Sequence, residues 1–229
     1  MILQIGSRED MQLRTLVNIF NQIFGQKFFQ KLRTEKKLGY IVQLQRMFEG
    51  LAMSISMYVQ SDHTNPIILD RMIDEFLETA VEEVANMPDT EFQKYKDTRS
   101  KLCLDKPVNL DSEFVDYSDI ICAKVYDFGY RLKLFDLNER VTKGDLITFI
   151  RTHIIPSAPK RRKLSTHVWP LGKSPSYSDV EKAKIVDDAE AFKERQDYFV
   201  HMDQHSGSNI PTSTSSSSSM TTSTFHNTQ

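Results

Sequence analysis

The sequence predicts an α+β domain in which helices pack on one face of a mostly antiparallel sheet, followed by a disordered tail. Two observations carry this prediction. The apolar residues of 11–32 recur at the spacing of a helix, and those of 51–60 alternate as in a half-buried strand. Four further helical segments and a last strand follow, so the predicted order is β-α-β-β-α-α-α-α-β, the pattern of an α+β layer.

The first part of the chain predicts a strand, a long helix and a hairpin. The predicted bounds are 2–5 for the strand, 11–32 for the helix, and 40–48 and 51–60 for the two strands of the hairpin. Val42 and Leu44 alternate with polar glutamines, as expected of a strand with one buried face. Glu49 and Gly50 separate the two alternating runs, so we expect an antiparallel pair there.

Four helices and a closing strand are predicted after the hairpin. The helices are one from Asn65-Pro66 to Pro88, one over 89–103, one with Ser112 as N-cap that carries Phe114, Tyr117, Ile121 and Val125, and one that begins with a capping box of Thr142 and Asp145. In the first of these helices, we expect Ile68, Met72, Phe76, Ala80 and Val84 to share the apolar face. The closing strand is predicted over 164–169.

Composition excludes several classes of protein. The 229 residues include 29 Lys plus Arg and 31 Asp plus Glu, a net charge of −2, so a generically basic nucleic-acid binder is not expected. No apolar run approaches the ~18 residues of a membrane span. Cys103 and Cys122 are too few for a disulfide framework, and we expect both to be reduced and to lie on apolar helix faces. The N-terminus lacks a signal-peptide core, which predicts a cytoplasmic protein.

The C-terminal segment differs sharply from the rest. No Asp, Glu, Lys or Arg occurs from Gln204 to Gln229, and most residues from Ser206 onward are Ser or Thr. Such a segment has too little apolar area to offset its ordering entropy. We therefore predict a folded domain over 1–200 and a disordered tail over 201–229.

One segment indicates a particular protein family more specifically than the sequence around it does. Residues 32–42 read Leu-Arg-Thr-Glu-Lys-Lys-Leu-Gly-Tyr-Ile-Val, which resembles the Leu-Arg-Thr-x-x-x-Leu-Gly-Tyr-Ile-Val motif of the insulinase (pitrilysin-type) zinc metallopeptidases. The similarity continues at 60–61, 105–107, 158–163 and 165–168. The resemblance implies the fourth and last homologous α+β domain of a two-half protease that hydrolyses peptides.

Arg33 and Tyr40 are the two positions to which the resemblance assigns a role in binding substrate. It implies that the arginine contacts the peptide backbone and that the tyrosine hydroxyl hydrogen-bonds the carbonyl under attack. We expect Gly39 to provide a sharp turn before Tyr40. Taken alone, the residues also fit a surface arginine stabilised by the helix dipole and a half-buried strand tyrosine. The intact motif favours the functional interpretation.

The family's catalytic motif, His-x-x-Glu-His, is absent from this sequence. His201 and His205 have the right spacing, but Gln204 occupies the position of the base and cannot accept a proton from water. We therefore expect no cofactor in this chain, no catalytic residue and no metal ligand, with zinc only in a partner or in a missing N-terminal half. The resemblance implies that Met1 falls where the family is still in the first strand of the domain, which leaves open a truncated paralogue, a fragment or a cloned domain.

The run Lys160 to Lys163 allows two interpretations, a nuclear or polyanion-binding signal and a solvated turn before the last strand. The resemblance favours the turn, because the family carries basic residues there.

Two functions remain open from the sequence. The first is a substrate-binding C-terminal domain of a zinc metalloendopeptidase that is not catalytic by itself. The second is a pseudoprotease or regulatory domain that pairs with a full-length family member. The predicted partners are a peptide substrate and a zinc-bearing insulinase-family half or homologous full-length chain, with no nucleic acid and no membrane. A scaffold domain that has lost the family's chemistry is a weaker third possibility.

Overall fold

An antiparallel sheet of four strands, in the order β2-β3-β1-β4, organises the part of the protein that the computed structural model describes, residues 1–171 and residue 190. The strands are β1 (Ile2–Ser7), β2 (Ile41–Glu49), β3 (Ala52–Gln60) and β4 (Arg162–Leu164). The helices are α1 (Met11–Phe29), α2 (Pro66–Glu78), α3 (Ala80–Asn86), α4 (Asp89–Leu104), α5 (Leu110–Cys122), α6 (Tyr130–Arg140) and α7 (Lys143–Phe149). Two π-helical segments, Gln30–Glu35 and Ile150–Ile154, extend α1 and α7. The predicted α+β class is confirmed.

Helix α1 supplies much of the core. Asp10 caps it by accepting a hydrogen bond from the backbone N–H of Leu13 at 2.9 Å. Phe20, Phe24 and Phe28 follow at helical spacing and are fully buried. Phe24 and Phe28 meet the ring of Phe76 edge to face, at centroid distances of 6.2 and 5.2 Å. These contacts pack α1 against α2.

The hairpin of β2 and β3 forms as predicted. Gly50 lies in the turn with a φ of +56°, a conformation that glycine adopts without strain. The strands pair in register along their whole length, with Leu44 opposite Met57 and Val42 opposite Val59. Leu44, Met57 and Val42 are buried, whereas the glutamines between the apolar positions of β2 are exposed.

The helix predicted to end at Pro88 is two helices, because the chain breaks at Thr79 between α2 and α3. Asn65 and Pro66 do begin α2, and Phe76, Ala80 and Val84 are buried as expected. The prediction that Ile68 lies on the buried face is wrong, since its side chain is 43% exposed. Leu69 and Ile73 are buried instead. Phe76 keeps the expected face within α2, so the predicted pattern fails at its N-terminal end, at Ile68.

Helix α6 was missed altogether, and α5 begins earlier than predicted. Asn109 caps α5, and Ser112 is the third residue of its capping box. The apolar pattern of α6 is weak, and the helix is held against α4 largely by hydrogen bonds. The Asn138 amide donates to the Lys96 carbonyl at 2.9 Å, and Arg131 donates to backbone carbonyls at the end of α4.

The closing strand is shorter and earlier than predicted. Strand β4 ends at Leu164, which pairs with Ile2 of β1, so 165–169 lie outside the sheet. The basic run Lys160 to Lys163 extends into this strand and is not simply a solvated turn. Arg161 and Lys163 point towards α2, where Lys163 Nζ lies 2.6 Å from Asp70 and 2.8 Å from Asp74.

The remaining predictions have mixed outcomes. Cys103 is buried, but Cys122 is exposed, so its assignment to an apolar contact is wrong. Within the described residues, no helix is long and apolar enough to cross a membrane. The predicted tail over 201–229 and the end of the domain near residue 200 lie outside the described residues and remain predictions.

Candidate functional site

The motif segment 32–42 connects α1 to β2 and carries Arg33 on the π-helical extension of α1. Lys36 donates its backbone N–H to the Lys31 carbonyl at 3.1 Å, the wide hydrogen-bonding pattern of a π-turn. Lys37 then adopts a φ of +52°, which ends the helix. Leu32 and Leu38 are buried, so the two apolar motif positions fix this turn to the core.

Gly39 is required by a close backbone approach rather than by a sharp turn. A Cβ built at this position would lie 1.7 Å from the carbonyl oxygen of Gln60, at the end of β3. The positive φ in this segment occurs at Lys37, and Gly39 does not adopt one. The glycine therefore lets the motif pass directly against β3.

Arg33 and Tyr40 lie together on the surface. The guanidinium carbon of Arg33 is 5.1 Å from the ring centroid of Tyr40 and 4.8 Å from that of Phe29. Tyr40 precedes β2 and is 81% exposed, so the alternative of a half-buried strand tyrosine is wrong. The stacked guanidinium of Arg33 and the exposed phenol of Tyr40 therefore share one site.

A groove of about 470 Å³ contains both motif residues. Its other side is formed by Gln60, Asp62 and His63, just after β3. His63 Nδ1 lies 2.6 Å from Asp62 Oδ1, and this hydrogen bond lowers the pKa of the Asp62 carboxyl. The groove therefore has two cationic motif side chains on one side, Arg33 and Lys37, and a carboxylate on the other.

Sequence reasoning missed Asp62 and His63 as groove residues. A usable indication existed, because a hairpin over 40–48 and 51–60 brings the end of its second strand, and hence the residues after it, close to the motif. In the structure, Gln60 pairs with Ile41. Neither composition nor spacing distinguished these two side chains individually.

A second groove of about 530 Å³ continues from the first and shares Gln60, Asp62 and His63 with it. Asp70 and His167 also line it, with His167 Nε2 3.7 Å from Asp70 Oδ1. Burial raises the pKa of Asp70, but hydrogen bonds from Lys163 and Ser165 outweigh that effect and hold the pKa below its ordinary value. These contacts make Asp70 a charged residue that fastens 163–167 to α2.

The described residues do not fit a zinc site. No three His, Cys, Asp or Glu side chains within this part of the chain are grouped closely enough to hold a metal ion. The spaced pair His201 and His205 lies outside the described residues. The groove offers donors for a peptide, and zinc chemistry is not assigned to it.

Comparison with known proteins gives a consistent result. Residues 19–118 match the family described as PQQ synthase PqqF-like, C-terminal lobe domain 4. The chain is 30% identical to insulin-degrading enzyme of Homo sapiens over 72% of its own length and 16% of that protein. It is 28% identical to the A-factor-processing enzyme of Saccharomyces cerevisiae, over 79% of this chain and 18% of that one.

A solved structure shares the fold. The crystal structure of pitrilysin has a TM-score of 0.58 to this chain at 22% sequence identity, covering 66% of this chain and 16% of the other. The fold and the motif define a C-terminal α+β domain of a peptidase type. The chain belongs to the insulinase (pitrilysin-type) family of zinc metallopeptidases, as a C-terminal domain. It spans about a fifth of the length of the curated relatives it matches.

Proposed function

We propose that this chain is the substrate-binding C-terminal domain of an insulin-degrading-enzyme-like zinc metalloendopeptidase and is not catalytic by itself. The observation that carries the proposal is an exposed groove in which Arg33 stacks on Tyr40, in a sequence without the His-x-x-Glu-His motif. The metal and the catalytic base would come from a zinc-bearing insulinase-family half.

The side chains of the groove suit an extended peptide. An arginine fork can donate two hydrogen bonds to backbone carbonyls, and stacking between Phe29 and Tyr40 limits its freedom before substrate arrives. The exposed phenol of Tyr40 can donate to the oxygen that becomes negative when a peptide carbonyl is attacked. This chain's part of the reaction is therefore to orient the peptide and to stabilise developing charge.

The outer face of α5 supports an obligatory partner. Ile120 is the buried residue of this helix, while Leu110, Phe114 and Ile121 are 79%, 68% and 50% exposed. These residues, together with Tyr117, recur at helical spacing and form a continuous apolar stripe. We refer to the stripe as the α5 face and assign it to contact with the remainder of the protease, since such exposed stripes mark interfaces.

The same face favours an alternative function, a pseudoprotease or regulatory domain that pairs with a full-length family member. In that case, the α5 face binds the partner while the groove has no catalytic task. For both alternatives we propose a cytoplasmic location and no nucleic-acid or membrane partner.

Cleavage of a fluorogenic peptide separates the alternatives. The full chain is assayed alone, and then with a catalytically competent N-terminal half of an insulinase-family protease, with and without a chelator. We expect chelator-sensitive activity only in the mixture. Cleavage by the chain alone would overturn the proposal. An inert mixture, together with altered activity of an added full-length protease, would favour the regulatory alternative.

A further inference from the structure

Four arginines from separate elements lie close together, towards the turn end of the hairpin. We refer to them as the arginine cluster, which consists of Arg8 after β1, Arg14 on α1, Arg46 on β2 and Arg99 on α4. The backbone N–H of Arg8 donates to the Leu51 carbonyl at 2.7 Å, which fixes this arginine beside the turn. The groove of Arg33 and Tyr40 lies at the other end of the hairpin and shares no residue with the cluster.

Aromatic rings pack against the two most buried members of the cluster. Arg8 and Arg14 are 2% and 7% exposed. Their guanidinium carbons lie 4.9 and 5.1 Å from the ring centroid of Phe48, and that of Arg14 lies 4.5 Å from the ring centroid of Tyr130. The Nε atoms of both arginines are buried and have no hydrogen-bond partner among the described residues. The rings attract these cations but do not neutralise them.

The other two members bring the cluster to the surface. Arg46 is exposed and Arg99 is half-buried. Arg46 donates a hydrogen bond to the side-chain oxygen of Asn18, which lies one helical turn after Arg14 on α1. Burial lowers the pKa of Arg99, and the nearby positive charge of Arg46 lowers it further. Arg46 therefore lies near both Arg14 and Arg99 and connects them.

Four positive charges share one carboxylate in the part of the chain that the structure describes. Asp119 forms an ion pair with Arg8 at 2.7 Å. No ion pair joins Arg14, Arg46 or Arg99 to an Asp or Glu of the described residues. Burial, followed by the charge of Arg8, lowers the pKa of Arg14 to about 10. A buried cation without a counterion costs free energy, so added negative charge would stabilise the cluster.

We propose that the arginine cluster binds an acidic segment of a partner protein, one that carries several Asp or Glu side chains. Arg46 and Arg99 make the contacts because they lie nearest to solvent, and each guanidinium can donate two parallel hydrogen bonds to a carboxylate. Arg14 adds positive potential from beneath them. Since the arginines form a row across α1, β2 and α4, several carboxylates on one segment match them better than one small anion. The inference goes beyond the proposed function, because it concerns a different surface.

Fluorescence anisotropy of the full chain tests this site. The probe is a fluorescein-labelled peptide of eight glutamates, and the matched probe has eight glutamines. The chain has a net charge of −2, so non-specific attraction of the glutamate peptide is not expected. We expect the glutamate peptide to bind and the glutamine peptide not to bind. Binding of neither peptide, or equal binding of both, would overturn the proposal.

Substitutions of single arginines locate the binding. We expect Arg46→Gln and Arg99→Gln each to weaken binding of the glutamate peptide roughly tenfold, the effect of one charge-assisted hydrogen bond. Arg151→Gln is the matched control, because it removes the same charge from an exposed position on the extension of α7, and it should leave the affinity unchanged. Both cluster variants should resist urea at least as well as wild type, since an uncompensated charge is removed. Equal affinity of the cluster variants and the control would contradict the site.

Two further measurements exclude other ligands and other surfaces. Inorganic triphosphate that binds through Arg46 more tightly than the glutamate peptide would assign the cluster to phosphates and overturn the proposal. We expect Arg33→Gln to leave binding of the glutamate peptide unchanged, because Arg33 lies in the groove at the other end of the hairpin. Loss of binding in that variant would place the acidic peptide in the groove instead.

Discussion

We expect Tyr40 to act in substrate binding without contributing to folding, because its side chain is 81% exposed and its contact is with Arg33. We expect Tyr40→Phe to change the free energy of unfolding by less than about 0.5 kcal/mol. Loss of one donor to a developing oxyanion lowers kcat about a hundredfold, so peptide cleavage by the reconstituted mixture should fall by that factor. Tyr126→Phe, at another exposed tyrosine outside the groove, serves as the control and should leave cleavage unchanged.

Gly39 gives a prediction about stability rather than catalysis. In Gly39→Ala, the new methyl group would overlap the Gln60 carbonyl, so β3 and the motif must separate. We expect a loss of about 3 kcal/mol or more in the free energy of unfolding, measured by urea denaturation. Gly144→Ala is the matched control, because its Cβ meets its nearest neighbour at 3.6 Å, and it should be neutral or mildly stabilising. Equal stability of the two variants would contradict the close approach.

At the residue scale, sequence reasoning identified Arg33 and Tyr40 because a motif fixes them. It missed Asp62 and His63, which enter the groove only through the pairing of β3 with β2. The role of Gly39 was assigned to a turn, since sequence cannot reveal which distant carbonyl approaches a glycine. The roles of Arg33 and Tyr40 in substrate binding remain predictions.

At the scale of elements, the hairpin was predictable because its period of two and its glycine turn are local features. Helix α6 was not, because its buried positions include Asn138 and its stability depends on hydrogen bonds to α4. The short β4 was misplaced for a related reason. Its Lys163 pairs with two carboxylates of α2 that are far away in sequence.

The attachment of β4 to α2 should depend on pH through Asp70. The pKa of this carboxyl is below its ordinary value of 3.8, since the hydrogen bonds from Lys163 and Ser165 outweigh the effect of burial. A lowered folded-state pKa gives stability that is present above pH 3.8 and is lost as pH falls through the folded-state value. We expect Asp70→Asn to cost about 2 kcal/mol at neutral pH, a difference that shrinks in acid.

Urea denaturation of the wild-type chain and of Asp70→Asn between neutral and strongly acidic pH measures this difference. Glu113→Gln, at an exposed position of α5, controls for the loss of one negative charge. A difference between wild type and Asp70→Asn that stays constant into acid would exclude the ionised carboxylate as the source of the stability.

At the scale of the whole molecule, we expect the α5 face to contact the proposed partner. The helix is fixed at its inner side by Ile120 and by the ion pair of Arg8 with Asp119, at 2.7 Å. These contacts hold the helix so that its stripe faces outward. The chain spans about a fifth of the length of its curated relatives.

The double substitution Phe114→Asp with Ile121→Asp tests the α5 face. Both side chains are at least half exposed, so the free energy of unfolding should change by less than about 1 kcal/mol. Association with the zinc-bearing half, measured by sedimentation velocity, should weaken at least tenfold, because two carboxylates would be buried without partners. Ile120→Asp is the contrasting variant, since a charge at this buried position should unfold the domain. A stable double variant that still assembles would move the interface to another surface and leave the exposed stripe without a function.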